Sequence, residues 1–215
     1  MIHLNPLVLL TLPVLFFITT HAHSWLDCTD LQTSGACAGY IRGYVGHTDS
    51  ETYKLLGRPP MAPLCSPSQQ SPTAYTTQHP HARTQSGRHL TISYTEDGHV
   101  TKDSLPPDGR PHPGNFSFYW TGEPYARPGD DSQLLLRRDV GPQNRLGQLE
   151  SFDDGVCAED NTKGRNGPRP CLNSYVIPPG TKPGLYQIVW LWAFDKDPET
   201  NGEEYVSCFD VEVLP

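Results

Sequence analysis

The sequence has no Cys-x-x-Cys pair, no basic stripe and, after residue 22, no apolar run long enough to cross a bilayer. Each absence removes a class of function. Without closely paired cysteines, a thiolate zinc site lacks its scaffold. Without clustered Lys and Arg, neither nucleic acid nor an anionic membrane surface has an electrostatic footprint to meet. A transmembrane helix needs about 20 apolar residues. Helix signals are scarce too. The 22 prolines and 19 glycines are spread throughout, and no long stretch keeps a 3.6-residue period. No internal repeat and no linker to a second module is visible.

What is present begins at the N-terminus. Leu7 to Thr19 is an almost unbroken apolar run, followed by Thr20-His21-Ala22. The preceding segment holds no Lys or Arg, only the amino group and His3. The run is too short for a membrane anchor and reads as a secretory signal ending at a small-residue cleavage site. The expected organisation is a signal peptide over 1–22 and one domain over 23–215. That leaves 215 − 22 = 193 residues, enough chain for a hydrophobic core. The leader carries no charged side chain, so the secreted chain keeps the formal charge of −8. An acidic surface is compatible with an uncharged polysaccharide, and a monomer is expected.

Six cysteines, Cys28, Cys37, Cys65, Cys157, Cys171 and Cys208, lie in the mature region. An even number in a secreted chain implies disulfides. Of the possible pairings, Cys157–Cys171 would close a local loop, and Cys208 would tie the last strand to an early loop through Cys65. Strand signals are found at Tyr40–Val45, Leu90–Thr95, Phe116–Thr121, Gln133–Arg138, Leu172–Ile177, Leu185–Phe194 and Tyr205–Val213. These runs are β-branched or aromatic and bounded by turn residues. They predict an all-β sandwich with long loops over Gly46–Gln85 and Asp139–Pro170. Leu185–Phe194 is apolar on both faces, as a central covered strand is, and Asp195–Gly202 reads as its turn into the last strand.

Signal cleavage would leave His23 as the first residue. An N-terminal His offers the α-amino nitrogen and imidazole Nδ1 from one residue. One further imidazole gives three nitrogens, a set that suits Cu(II) and leaves open positions. Six later histidines can supply it: His47, His79, His81, His89, His99 and His112. His112 is the best placed, because Pro111, Pro113 and Gly114 fix a turn just before an aromatic strand. His47 is the reserve. His79 and His81 fall in a Ser/Thr/Pro-rich loop and read as solvated; His89 and His99 flank one strand and read as surface residues. In Glu203-Glu-Tyr205-Val-Ser-Cys208, period two puts Glu203 and Tyr205 on one face and Cys208 on the other. Trp25, Tyr44, Tyr53, Tyr119 and Tyr125 are aromatic residues available for stacking on sugar rings. Asn115-Phe-Ser117 is an N-glycosylation sequon three residues after His112.

Taken in order, the N-terminal His, the His-Pro-Gly before an aromatic strand and the terminal Glu-x-Tyr-x-x-Cys strand resemble the lytic polysaccharide monooxygenases of fungi and similar microbes. The resemblance implies an immunoglobulin-like antiparallel sandwich with a flat face holding one copper. It implies that His23 and His112 supply nitrogen ligands, that Tyr205 lies axial to the metal, and that Glu203 is a polar neighbour of the oxygen chemistry. The activity implied is oxidative cleavage at C1 or C4 of a glycosidic bond in cellulose, chitin, hemicellulose or pectin, using O2 or H2O2 and an external electron donor. The sequence departs from the cellulose-active branches in carrying Glu rather than Gln at position 203. Two other readings use the same residues differently. One is a secreted copper-binding protein without catalysis; the other is a carbohydrate-binding or adhesion module in which His23 is incidental.

Overall fold

In the computed structural model, the described residues are 23–55, 59–102, 113–127, 135–194 and 203–215. The leader, His112, residues 133 and 134 and the 195–202 connection lie outside them.

Eight strands run in chain order: β1 (Leu26–Cys28), β2 (Ala82–Gln85), β3 (His89–Tyr94), β4 (Asn115–Tyr119), β5 (Arg145–Ser151), β6 (Cys171–Val176), β7 (Gly184–Phe194) and β8 (Glu203–Leu214). Helical structure among the described residues is limited to short 3-10 turns. A three-stranded sheet, β1-β3-β6, packs on a five-stranded sheet, β2-β8-β7-β4-β5. This is the expected sandwich. Its one departure from antiparallel pairing is β2, which runs parallel to β8 at the sheet edge, reached through the long loop rather than by a hairpin.

β7 shows why the sheet forms where it does. Tyr186, Ile188, Trp190, Trp192 and Phe194 enter the core between the sheets. Val189 and Leu191 point the other way, into a second cluster with Leu55, Leu64, Leu135, Val206 and Cys208. The loop segments carrying Leu55, Leu64 and Leu135 thus form an outer layer over the central strands. Cys65–Cys208 fastens that layer to β8. The other bridges are Cys157–Cys171, as expected, and Cys28–Cys37.

Two expected strands are corrected. Tyr40–Val45 is not a strand. The backbone turns at Arg42-Gly43, with Gly43 at φ +68°, and Arg42 points inward. Its guanidinium donates to Asp210 (Nε to Oδ2, 2.8 Å) and to the Gln69 carbonyl (3.0 Å), and it also bonds the Tyr125 hydroxyl. A pleated strand could not deliver that side chain and stay in register. In the described part of Gln133–Arg138, Leu136 makes one bridge with Pro63 and a 3-10 turn follows over Arg137–Asp139. There the N–H groups of Arg137 and Arg138 bond the carbonyls of Ala62 and Pro60. Strands β1, β2 and β5 were not expected: two are very short, and β5 is a largely exposed edge interrupted by Gly147.

Candidate functional site

One end of the sandwich gathers the residues of interest. Antiparallel pairing of Leu26 with Tyr94 lays the residues before β1 beside those after β3. Ser24 Oγ donates to the Thr95 carbonyl at 2.8 Å. One step further out, His23 meets Asp97. A single carboxylate oxygen, Asp97 Oδ2, is 3.2 Å from the His23 backbone nitrogen and 3.5 Å from its Nδ1. The backbone nitrogen and Nδ1 of His23 therefore both face one carboxylate oxygen. Both side chains are about a quarter exposed, 26% and 29%, while His23 Nδ1 itself is buried.

The turn that presents Asp97 is tightly built. Asp97 (φ +37°) and Gly98 (φ +84°) occupy the left-handed region, which Asp tolerates and Gly favours. His99 N–H closes the turn on the Glu96 carbonyl at 2.9 Å. The Glu96 carboxylate is buried and accepts from Val100 N–H (2.7 Å), from Thr101 and from Glu159 N–H. It thereby ties the turn to the loop closed by Cys157–Cys171.

His99, expected at the surface, is fully buried. Its ring packs edge-on against Phe194 (4.2 Å) and Trp192 (4.6 Å) and lies 6.2 Å from Tyr205. Its place in the core beside Tyr205 was not foreseen from the sequence. The available signal was the Glu-Asp-Gly turn directly before it.

β7 and β8 supply the rest. Trp192 pairs with Tyr205 and Phe194 with Glu203. The Tyr205 ring stacks on Trp192 at 4.9 Å and 24° and is buried. As period two requires, Tyr205 belongs to the inter-sheet core while Cys208 belongs to the outer cluster. The Tyr205 hydroxyl donates to Glu203 Oε2, and Lys54 Nζ donates to Oε1 at 2.5 Å. Burial pushes the Glu203 pKa up. The Lys54 ammonium and the Tyr205 hydroxyl, with a smaller contribution from His99, outweigh it and leave the carboxyl below its ordinary value.

The other expected residues are dispersed. His112 lies outside the described residues. His47 is exposed and bonds Asp27 at 2.9 Å. His79 packs on Tyr40 and Tyr44, and His81 on Tyr75, so neither is simply solvated. His89 is exposed, as expected. Trp25 (2% exposed) and Tyr119 (8%) are corrected as sugar platforms. Trp25 is covered by the His47 loop and Tyr119 belongs to the outer cluster, so neither ring face can meet a polymer. Tyr44 and Tyr53 are half-buried. Tyr125 is half-buried and its hydroxyl is used by Arg42 and Asp210. Asn115 is exposed at the start of β4.

Another group with metal-binding atoms close together is Asp153, Asp154 and Cys157. It is unsuited to a metal: Cys157 is oxidised to a disulfide, Asp153 pairs with Arg165, and Asp154 accepts three backbone N–H groups.

Among solved structures, the fold is similar to a copper complex of a cellulose-active lytic polysaccharide monooxygenase (19% identity, 87% of this chain and 74% of that one, TM-score 0.40). It is also similar to a lytic polysaccharide monooxygenase important for chitin utilization in Cellvibrio japonicus (15%, 74% and 73%, 0.42). A third is a chitin binding domain from Burkholderia pseudomallei (12%, 90% and 100%, 0.43). Similarities of this size carry no argument about activity. No curated protein matches the chain. A family profile does match, over residues 20–215, and the chain belongs to that family, described as a domain of unknown function, DUF7492.

Proposed function

We propose that this protein is a secreted, copper-dependent monooxygenase that cleaves a polysaccharide oxidatively. The observation that carries the reading is the approach of His23 N and Nδ1 to one carboxylate oxygen at one end of the sandwich. Removal of residues 1–22 turns that backbone nitrogen into an amine, and an amine with an imidazole from one residue is a donor pair that suits copper. A further imidazole completes the set. His112 is the choice from the sequence. Copper, when bound, supplies the one-electron chemistry that activates O2 or H2O2 with an external donor. The chain's own residues supply the setting. Tyr205 is locked against Trp192 and presents its hydroxyl to Glu203. Glu203, held anionic by Lys54, can take or return a proton beside the site. One observation favours the second reading, a copper-binding protein without catalysis: a carboxylate already lies against both His23 nitrogens.

Incubation with copper, ascorbate and a panel of cellulose, chitin, xylan and pectin is expected to release oxidised oligosaccharides detectable by mass spectrometry. Glu203→Ala should keep copper affinity within a few-fold yet lower turnover about tenfold or more, the order expected when a group behind the ligands is removed. Tyr205→Phe should retain copper with altered spectra and a modest loss of rate. Tight copper binding without oxidised products from any polymer would favour the second reading. Loss of copper binding in Glu203→Ala would make that carboxylate a ligand.

A further inference from the structure

We infer that Asp97 is itself a metal ligand, a carboxylate that closes the His23 chelate into a mixed nitrogen–oxygen set for Cu2+. This deepens the copper binding that both readings above share, and rests on His23 being the first residue of the secreted chain.

The first support is spacing. Donors about 2.0–2.1 Å from one ion and at right angles to each other lie about 3 Å apart. Asp97 Oδ2 is 3.2 Å from His23 N and 3.5 Å from Nδ1. Both separations from the carboxylate oxygen are thus close to those that a shared cation sets. The second support is construction. Asp97 holds a left-handed backbone, φ +37°, ahead of a glycine at +84°. A strained conformation persists where its surroundings impose it. Here the buried Glu96 carboxylate pins Val100, Thr101 and Glu159 around the turn. Lys102, the basic residue close by in sequence, is paired with Glu159, so the turn directs Asp97 to His23 while that lysine is engaged elsewhere. Asp97 would neutralise one charge of the dication. Being a hard oxygen donor, it would favour Cu2+ over Cu+, which softer ligands select.

The test uses the secreted protein beginning at His23. Asp97→Asn and Asp97→Gly both accept the left-handed backbone, so the turn survives while the anionic donor is lost. Asp153→Asn, whose parent residue pairs with Arg165, is the carboxylate control. Each protein is titrated with Cu2+ against a competing chelator, and the electron paramagnetic resonance spectrum of the loaded form is recorded. Both Asp97 variants are expected to bind at least about tenfold more weakly, with changed copper hyperfine splitting, and Asp153→Asn to match the parent. Asp97 variants that match the parent in affinity and spectrum, while oxidised oligosaccharides are still released, would overturn the inference and leave the function standing. A parent protein that binds no Cu2+ overturns both.

Discussion

Asp210→Ala is expected to destabilise the protein by about 3–5 kcal/mol, the cost of removing one partner from a buried ion pair. For a chain of this length that lowers Tm by roughly 10 °C, at about 2–4 °C per kcal/mol. Arg42 and Asp210 are both completely buried. Asp210 accepts Nε and Nη2 of Arg42 and the Tyr75 hydroxyl, while its own N–H donates to that hydroxyl. Alanine would leave a guanidinium inside the protein with its carbonyl partners but no counter-charge. Thermal unfolding of the metal-free protein measures the effect away from the copper question. The double variant Arg42→Met/Asp210→Leu removes the unpaired charge as well, and should lie closer to the parent than Asp210→Ala does. A single variant that unfolds with the parent would mean that the pair is dispensable and that the turn at Gly43 is held by other contacts.

At the other end of the molecule, His23→Ala is expected to weaken copper binding by on the order of 100-fold or more, equivalent to about 2.7 kcal/mol. Adding one alanine ahead of His23 should have a comparable effect although every side chain is kept. That second variant is the sharper of the two. It converts the terminal amine back into an amide, so only a chelate that uses the main-chain nitrogen responds to it. Chelator competition at fixed pH measures both. If the extended protein binds as tightly as the parent, the main-chain nitrogen is not a ligand.

Much of the fold was legible where one strand carried its own pattern. β7 alternates two apolar sets along its length, and each set went into a different layer of the molecule. The Glu203/Tyr205 and Cys208 faces of β8 followed from the same period. What was not legible was decided by partners distant in sequence. Tyr40–Val45 has strand composition, but Arg42 is drawn to Asp210, 168 residues away. β5 has no alternation to read, because an edge strand with most of its side chains in water needs none. The site divides in the same way. His23 was proposed from the expected signal cleavage and Tyr205 from strand period. Asp97 and His99 were passed over because a polar turn reads as solvent-facing until β7 and β8 are placed against it.

The position of β8 has a consequence for how the molecule comes into being. It is the last strand of the chain, yet it lies between β2 and β7. Leu26 N–H, in β1, bonds Ser207 Oγ across 181 residues. The larger sheet therefore lacks an interior member until Glu203–Leu214 is in place, and the indole and phenyl rings of β7 lack the neighbours that strand supplies. Folding that waits for segments so far apart in sequence is slow and depends on distant contacts. It follows that truncating β8, which would unpair β2 and β7 together, should be more damaging than loss of a surface loop.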